Sequence, residues 1–171
     1  MKRMIMISLL LALLTGCAAP QAIDVFTVDD ELVQETAAPF SITFAVPTDA
    51  VLTVSSDDGL QKDYTAEDGR YSIRTEVRPG IDAKQAMLDM TGFSAEELSP
   101  IKTRRMGMTQ YRFSWCSGDD GGVSICTGAV LEDQDACYCL SFSTPEGCSK
   151  ECRALQMQVM DSFSLFEDEG F

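Results

Sequence analysis

The first seventeen residues constrain the rest of the chain most strongly, because they predict export from the cytoplasm. Lys2 and Arg3 give a positive start, an apolar run over residues 4–14 follows, and small residues lead to Cys17. This order is typical of a cleaved secretory signal peptide. The run is shorter than the ~20 apolar residues that cross a bilayer. We therefore expect residues 1–16 to be removed.

The predicted cleavage site is Leu14-Thr15-Gly16-Cys17. It resembles the lipobox of bacterial lipoproteins. The resemblance implies that Cys17 is lipidated through its sulfur and becomes the first residue of the mature protein. A single acyl chain, such as one palmitate, binds a membrane only marginally. The lipoprotein modification would add more than one chain, which implies a persistent anchor at the outer side of the cytoplasmic membrane, or at an outer membrane if the cell has one.

The composition after the anchor predicts one folded domain on a tether. Residues 17–39 are acidic, contain two prolines and show little periodicity, so we expect a flexible tether. The remaining length is near the usual size of one domain, and 45% hydrophobic residues are enough for a core. We place the domain at residues 40–166 and an acidic tail at residues 167–171.

Charge and residue usage exclude several classes of function. The net charge is −14, and a field of this sign repels nucleic acid and anionic lipid headgroups. The chain has no histidine, which excludes Ser-His-Asp triads, histidine bases and histidine metal ligands. Nucleophile elbows, P-loops, dinucleotide fingerprints and EF-hand loops are also absent. We therefore assign no catalytic residue, no cofactor and no nucleic-acid partner.

Alternation of apolar and polar residues predicts an antiparallel sheet. The last three strands are joined by short loops and form a meander. The six strand candidates are residues 40–46, 51–55, 71–77, 110–116, 123–131 and 136–143.

Capping residues predict a helical segment near residues 82–98 and a C-terminal helix. Asp82 and Ser94 are suitable N-caps, and Ser94 is followed by Glu97 in a capping-box pattern. The C-terminal helix begins near Thr144-Pro145, or alternatively at Ser149 because Gly147 weakens the first turn, and it carries an apolar stripe. Together these elements predict an α+β domain with an antiparallel sheet of five to seven strands. The C-terminal helix would pack on the aromatic face, and the first helix would cover the other face.

Three segments carry a further resemblance: Phe40-Ser41-Ile42-Thr43-Phe44-Ala45-Val46-Pro47, Tyr138-Cys139-Leu140-Ser141-Phe142 and Met160-Asp161-Ser162-Phe163. In this layout the domain resembles the fold shared by Mog1 and PsbP proteins and by many small bacterial lipoproteins. The resemblance implies a binding or assembly role without a shared active site. The six cysteines after Cys17 are a departure from the pattern of that family.

Six cysteines besides Cys17 predict disulfides, because an exported protein meets an oxidising compartment. They are Cys116, Cys126, Cys137, Cys139, Cys148 and Cys152. We expect the four strand cysteines on one face of the meander, with the aromatic residues on the other. Cys116 and Cys126 are symmetric about Gly121, so a hairpin folded there places them directly opposite and within disulfide range. We favour this pair.

The pairing of the other four cysteines stays open. Cys139 can reach Cys152 if the helix returns along the sheet, and a Cys148–Cys152 link competes with that pair. Two further interpretations are a zinc or iron–sulfur site built from the four thiolates and a thiol-redox centre at Cys137 and Cys139.

The predicted function is that of a non-enzymatic, membrane-anchored envelope lipoprotein that binds or scaffolds another component. Its expected partners are the membrane, through the anchor, and another envelope protein or a small ligand. A ligand- or metal-binding module and a thiol-redox protein are the alternatives.

Overall fold

The computed structural model describes residues 40–119 and 122–167. The predicted signal peptide, the lipidation site Cys17 and the tether up to residue 39 lie outside these residues. No helix in the described part of the chain is long and apolar enough to cross a membrane.

Strands dominate the described residues. Seven of them form one antiparallel sheet in the order β2-β3-β4-β8-β7-β6-β5, and β1 pairs antiparallel with β9 in a separate two-stranded sheet. The predicted α+β class is confirmed. The strands are β1 (Phe40–Thr43), β2 (Ala50–Ser55), β3 (Gln61–Ala66), β4 (Ser72–Pro79), β5 (Ile101–Arg105), β6 (Met108–Asp119), β7 (Gly122–Glu132), β8 (Ala136–Pro145) and β9 (Ser164–Glu167).

Two of the three helices in the described part of the chain begin where capping chemistry predicts them. The three are α1 (Ala83–Thr91), α2 (Ala95–Leu98) and α3 (Ser149–Ser162). The Asp82 carboxylate accepts from the backbone N–H of Gln85 at 2.8 Å and caps α1. Ser94 and Glu97 form the reciprocal capping box of α2. These side chains accept hydrogen bonds from backbone N–H groups at the N-termini of α1 and α2, which have no partner within the helix. The predicted helical segment is confirmed.

The C-terminal helix, α3, does not begin near Thr144-Pro145. The reason is that β8 extends to Pro145 and a short 3-10 turn (Glu146–Cys148) follows. The helix begins at the alternative start, Ser149.

One face of the large sheet, here called the α3 face, carries the aromatic core. Tyr138, Leu140 and Phe142 of β8 point into it and are fully buried. The ring of Tyr71 stacks on Phe142 with centroids 5.2 Å apart. Helix α3 adds Val159 and other apolar side chains to the same cluster. The C-terminal helix packs as predicted on the face that carries Tyr138 and Phe142, but Phe113 and Trp115, expected on the same face, lie on the opposite one.

Helix α1 covers part of the opposite face, here called the α1 face. Ala83, Ala86 and Met87 of the helix pack against Phe113, Val130 and the thiols of β8, and this second core has its own apolar cluster. Strand β8 is therefore buried on both sides, with Cys137 and Cys139 toward α1 and its aromatic residues toward α3.

Three strands were not among the sequence-based candidates. β3 and β5 are rich in polar and charged residues, so their alternation does not separate an apolar from a polar face. β9 has four residues and ends at Glu167, where the acidic tail was predicted to begin. Pairing with a neighbouring strand, rather than local propensity, determines all three.

The two edges of the large sheet differ in charge. The edge strand β5 carries Lys102, Arg104 and Arg105. The opposite edge strand, β2, has no charged residue, and its Val51 and Leu52 are about half exposed, at 48% and 49%. Charged residues on an edge strand oppose unwanted strand addition, so only the β5 edge is protected in this way.

A partly buried acid–phenol contact ties the segment before β2 to the residues just before β4. The Tyr71 hydroxyl donates to Asp49 Oδ1 at 2.6 Å, and the Arg70 guanidinium pairs with the same carboxylate. The hydrogen bond from Tyr71, followed by that from Arg70, lowers the pKa of Asp49 below its usual value. The folded state therefore favours the ionised carboxylate.

This lowered pKa predicts an acid-sensitive contribution to stability. A group with a depressed folded pKa stabilises the fold above its unfolded pKa of ~3.9, and that contribution is lost as the pH falls through the folded pKa. We expect Asp49→Asn to lower the free energy of unfolding at pH 7 and to flatten its decline below about pH 4. Urea denaturation between pH 2 and 7 measures both effects.

Asp57→Asn is the matched control for this prediction. Asp57 is an exposed turn residue whose side chain makes no hydrogen bond in the described part of the chain. Its substitution removes a carboxylate without removing such a contact and should leave the free energy of unfolding at pH 7 unchanged. Equal acid profiles for Asp49→Asn and the unsubstituted protein would show that the contact with Tyr71 is not coupled to stability.

Candidate functional site

A polar groove lies on the α1 face where the helix does not cover the sheet. Its cavity volume is about 570 Å³, within the ~300–1,000 Å³ typical of small-ligand sites. Small hydroxyl-bearing side chains from neighbouring strands form its floor. They include Thr53, Thr65, Ser72, Ser124, Ser141 and Ser143.

Strand register and helix length together create the concavity. Thr65 lies opposite Ser72, Ser72 opposite Ser143, and Ser143 opposite Cys126, so one row of small residues crosses four strands. Helix α1 has nine residues and is about 13 Å long. The ten residues of β8 span about 33 Å. The helix therefore leaves much of this face open.

The only tryptophan of the chain, Trp115, forms one wall of the groove. Its ring lies beside that of Phe113, with centroids 5.6 Å apart and planes inclined by 33°. Gly128 lies opposite Phe113 on β7. A Cβ atom at Gly128 would lie 2.7 Å from the Phe113 ring and 3.1 Å from the Trp115 ring. The missing side chain allows both rings to rest on the sheet.

Paired charges form the opposite wall. Arg74 donates to both carboxylate oxygens of Asp63, at 2.7 and 2.9 Å. Arg78 binds Glu76 and also Asp89 of α1, each at 2.8 Å. Both guanidinium groups are thus neutralised by carboxylates. The pairing with Asp63 also raises the pKa of Arg74.

Buried thiols lie on the same face of the sheet as the groove. Cys126 lines the groove, and its Sγ donates to Ser143 Oγ at 3.3 Å. Burial raises the pKa of Cys126, that of Cys139 and, to about 12, that of Cys137. Thiols with raised pKa values stay protonated near neutral pH and are poor nucleophiles.

The favoured disulfide, Cys116–Cys126, does not agree with the hairpin register. Cys116 lies opposite Ile125, whereas Cys126 lies opposite Trp115. The prediction that the two cysteines face each other is wrong, because two residues rather than three connect β6 and β7. The shift by one residue places the two thiols on opposite faces of the sheet.

The same shift changes the distribution of cysteines and aromatic residues. Cys126, Cys137 and Cys139 lie on the α1 face together with Phe113 and Trp115. The one-residue shift is the cause, because each side chain of β6 now points to the face opposite the one that the predicted pairing with β7 gave it. The prediction that four strand cysteines share one face, opposite all the aromatic side chains, is therefore wrong.

The sheet also separates the remaining cysteines. Cys139 packs in the α1-face core, whereas Cys152 and Cys148 pack in the α3-face core. The proposed Cys139–Cys152 pair is wrong for this reason, and the four thiolates of the metal interpretation are not brought together. Among the described residues, no group of three or more His, Cys, Asp or Glu side chains is placed to hold a metal ion. In this structure Cys116, Cys126, Cys137, Cys139, Cys148 and Cys152 are free thiols.

Solved structures share this architecture at low sequence identity. The solution structure of the cyanobacterial PsbP protein CyanoP from Synechocystis matches with a TM-score of 0.51 and 12% identity, over 73% of this chain and 86% of that chain. The fold is PsbP-like. This agrees with the fold that the sequence resemblance implied. No protein-family model matches the chain, and no curated protein matches it.

Two further structures match the PsbP-like domain with TM-scores below 0.5. LpqN of Mycobacterium tuberculosis, described as involved in cell envelope biogenesis, has a TM-score of 0.48 and 14% identity, over 74% of this chain and 83% of its own. A protein from Bacteroides thetaiotaomicron has a TM-score of 0.49 and 12% identity, over 77% of this chain. The match spans 47% of that longer protein, about half its length.

Sequence reasoning did not find the groove. It placed the aromatic residues together on the face opposite the cysteines and assigned no binding residue. The groove combines residues of β2, β3, β4, β6, β7, β8 and α1, and one of these strands, β3, lay outside the predicted set. The one usable signal was the serine-rich alternation of residues 141–143 after the buried half of β8.

Gly128 provides a test of how the groove wall is held. We expect Gly128→Ala to destabilise the protein by about 1–3 kcal/mol, because the new methyl group displaces the Phe113 and Trp115 rings. The change should also shift the emission of Trp115. Gly118→Ala is the matched control, since a Cβ there meets nothing within 4 Å. Equal stability of the two variants would contradict the packing described here.

Thiol reactivity provides a second test. Cys116 is exposed, whereas Cys137 and Cys139 are at most 1% exposed. We expect an alkylating agent at pH 8 to modify Cys116 first in the native protein and to reach the β8 thiols only after unfolding. Mass spectrometry of peptides gives the order. Fast modification of Cys137 would contradict the burial of β8.

The disulfide prediction itself is settled by counting thiols. Protein taken from the cell envelope is unfolded, and its thiols are titrated before and after reduction. Six thiols before reduction would remove the disulfide hypothesis, and a lower number would show that pairs exist other than the two excluded by the sheet.

Proposed function

We propose that the chain is a non-enzymatic lipoprotein of the cell envelope that is anchored through Cys17 and binds a small polar ligand in its groove. The observation that carries the proposal is the composition of that groove. A floor of hydroxyl groups, one aromatic wall and one wall of paired charges form a concave surface suited to hydrogen bonding.

Binding is favoured over catalysis by the state of the reactive groups. The chain has no histidine. The groove carboxylates Asp63, Glu76 and Asp89 are each engaged by an arginine. Burial raises the pKa of Cys126 and also that of Cys137 and Cys139, the pair of the thiol-redox alternative, which disfavours nucleophilic attack by these thiols. The polar groups of the groove can therefore hold a ligand but are poorly prepared to react with it.

The sequence supports the anchored arrangement. An extended chain rises at most ~3.6 Å per residue, so a tether over residues 17–39 can reach up to roughly 80 Å. The net charge of −14 repels anionic headgroups. A tether of this reach would allow an anchored domain to stand clear of the membrane.

The anchor is tested by Cys17→Ser. We expect labelled palmitate to be incorporated into the unsubstituted protein and not into this variant, because the acylated sulfur is removed. The protein should then move from the membrane fraction to the soluble envelope fraction. Cys116→Ser is the control and should remain in the membrane fraction. Retention of Cys17→Ser at the membrane would overturn the anchoring proposal.

The groove is tested with a library of small polar molecules. Trp115 is the only tryptophan, so its emission reports on the groove alone. We expect at least one compound to change this emission saturably and to shift the amide signals of residues around Ser141. Ser141→Leu should abolish the response by filling the floor. Ser55→Leu, the same change at an exposed position outside the groove, should preserve it.

The outcome decides the proposal because the two variants separate groove binding from nonspecific association. An unchanged response in Ser141→Leu would place the binding elsewhere on the molecule. A library without any saturable response at Trp115 would overturn the binding proposal.

A further inference from the structure

We infer that the ligand class of the groove is a neutral saccharide. The inference rests on the proposed binding function and adds the chemistry of the ligand. Three independent features of the groove select this class: the fixed aromatic ring, the free hydroxyl groups and the absence of an unpaired cation.

The first feature is the position of the Trp115 ring. A sugar ring has a face of C–H groups and a rim of hydroxyl groups, so it packs well against an aromatic surface that adjoins polar side chains. Trp115 provides such a surface, and it is partly exposed along the groove. Gly128 and Phe113 hold the ring in place. An ordered ring loses little side-chain entropy on binding.

The second feature is the hydroxyl floor. Ser72 and Ser141 make no side-chain hydrogen bond within residues 40–119 and 122–167. Each serine hydroxyl can donate one hydrogen bond and accept two, as a sugar hydroxyl can. Glu76 uses one carboxylate oxygen to bind Arg78, which leaves its other oxygen able to accept. The floor therefore matches a ligand that donates and accepts at several adjacent positions.

The third feature is the charge balance of the groove. It contains two arginines and three carboxylates, and each arginine is bound to at least one carboxylate. A phosphate or uronate would find no free cation and would meet the negative field of the whole chain. An uncharged ligand avoids this cost. A purely apolar ligand is also disfavoured, because it would leave the floor hydroxyls without partners.

The test uses three neutral trisaccharides and one anionic one. Maltotriose, cellotriose, chitotriose and trigalacturonate are titrated separately into the Cys17→Ser protein, with Trp115 emission and amide chemical shifts as readouts. We expect at least one neutral trisaccharide to bind saturably. Trigalacturonate should bind at least about tenfold more weakly at low salt, and the gap should shrink as salt screens the repulsion.

Variants assign the binding to named side chains, with calorimetry replacing fluorescence where the indole is removed. Trp115→Ala should weaken binding of the neutral sugar at least about fivefold. Trp115→Phe should lose less affinity because it keeps an aromatic ring. Ser141→Leu should abolish binding, and Ser55→Leu should preserve it. Unchanged affinity in Trp115→Ala would overturn the inference.

The results distinguish the inference from the proposed function. A groove that binds another polar compound of the library but none of the neutral trisaccharides would overturn the saccharide class and leave the binding function standing. Tighter binding of trigalacturonate than of the neutral sugars would overturn the charge argument. A groove that responds to no compound in either set would overturn both.

Discussion

Burial of strand β8 on both faces is the constraint on which the rest of the structure depends. Residues 136–140 of β8 are all at most 2% exposed. Alternate side chains of one strand therefore contribute to two cores, one under α1 and one under α3. A strand buried in this way needs a paired strand on each side and a cover on each face. β4 and β7 supply the pairing, and the two helices supply the covers.

The two covers differ in extent, and this difference produces the groove. Helix α3 and the β1–β9 pair supply the cover of the aromatic side, whereas α1 has only nine residues. Beyond the end of α1 the side chains on the open face change from Cys137 and Cys139 to Ser141 and Ser143. Strand β8 therefore changes along its length from a buried apolar segment to one that presents hydroxyl groups to the groove.

Much of the fold could be predicted because its determinants are local. The capping residues Asp82 and Ser94, and the alternation around Tyr138, are readable within a few residues. The hairpin register could not be read in this way. A two-residue and a three-residue connection near Gly121 fit the same alternation, yet they place Cys116 on different faces. The groove depended on that register and on β3, a polar strand without an apolar pattern, so it could be recognised only from the assembled sheet.

The unequal edges of the sheet determine how far any strand pairing between molecules can extend. An antiparallel contact between two uncharged β2 edges is self-complementary and uses the same surface on both molecules. Each molecule would then present only its β5 edge, where Lys102, Arg104 and Arg105 would face like charges. Growth by edge pairing would therefore end with a closed pair instead of continuing into a fibre.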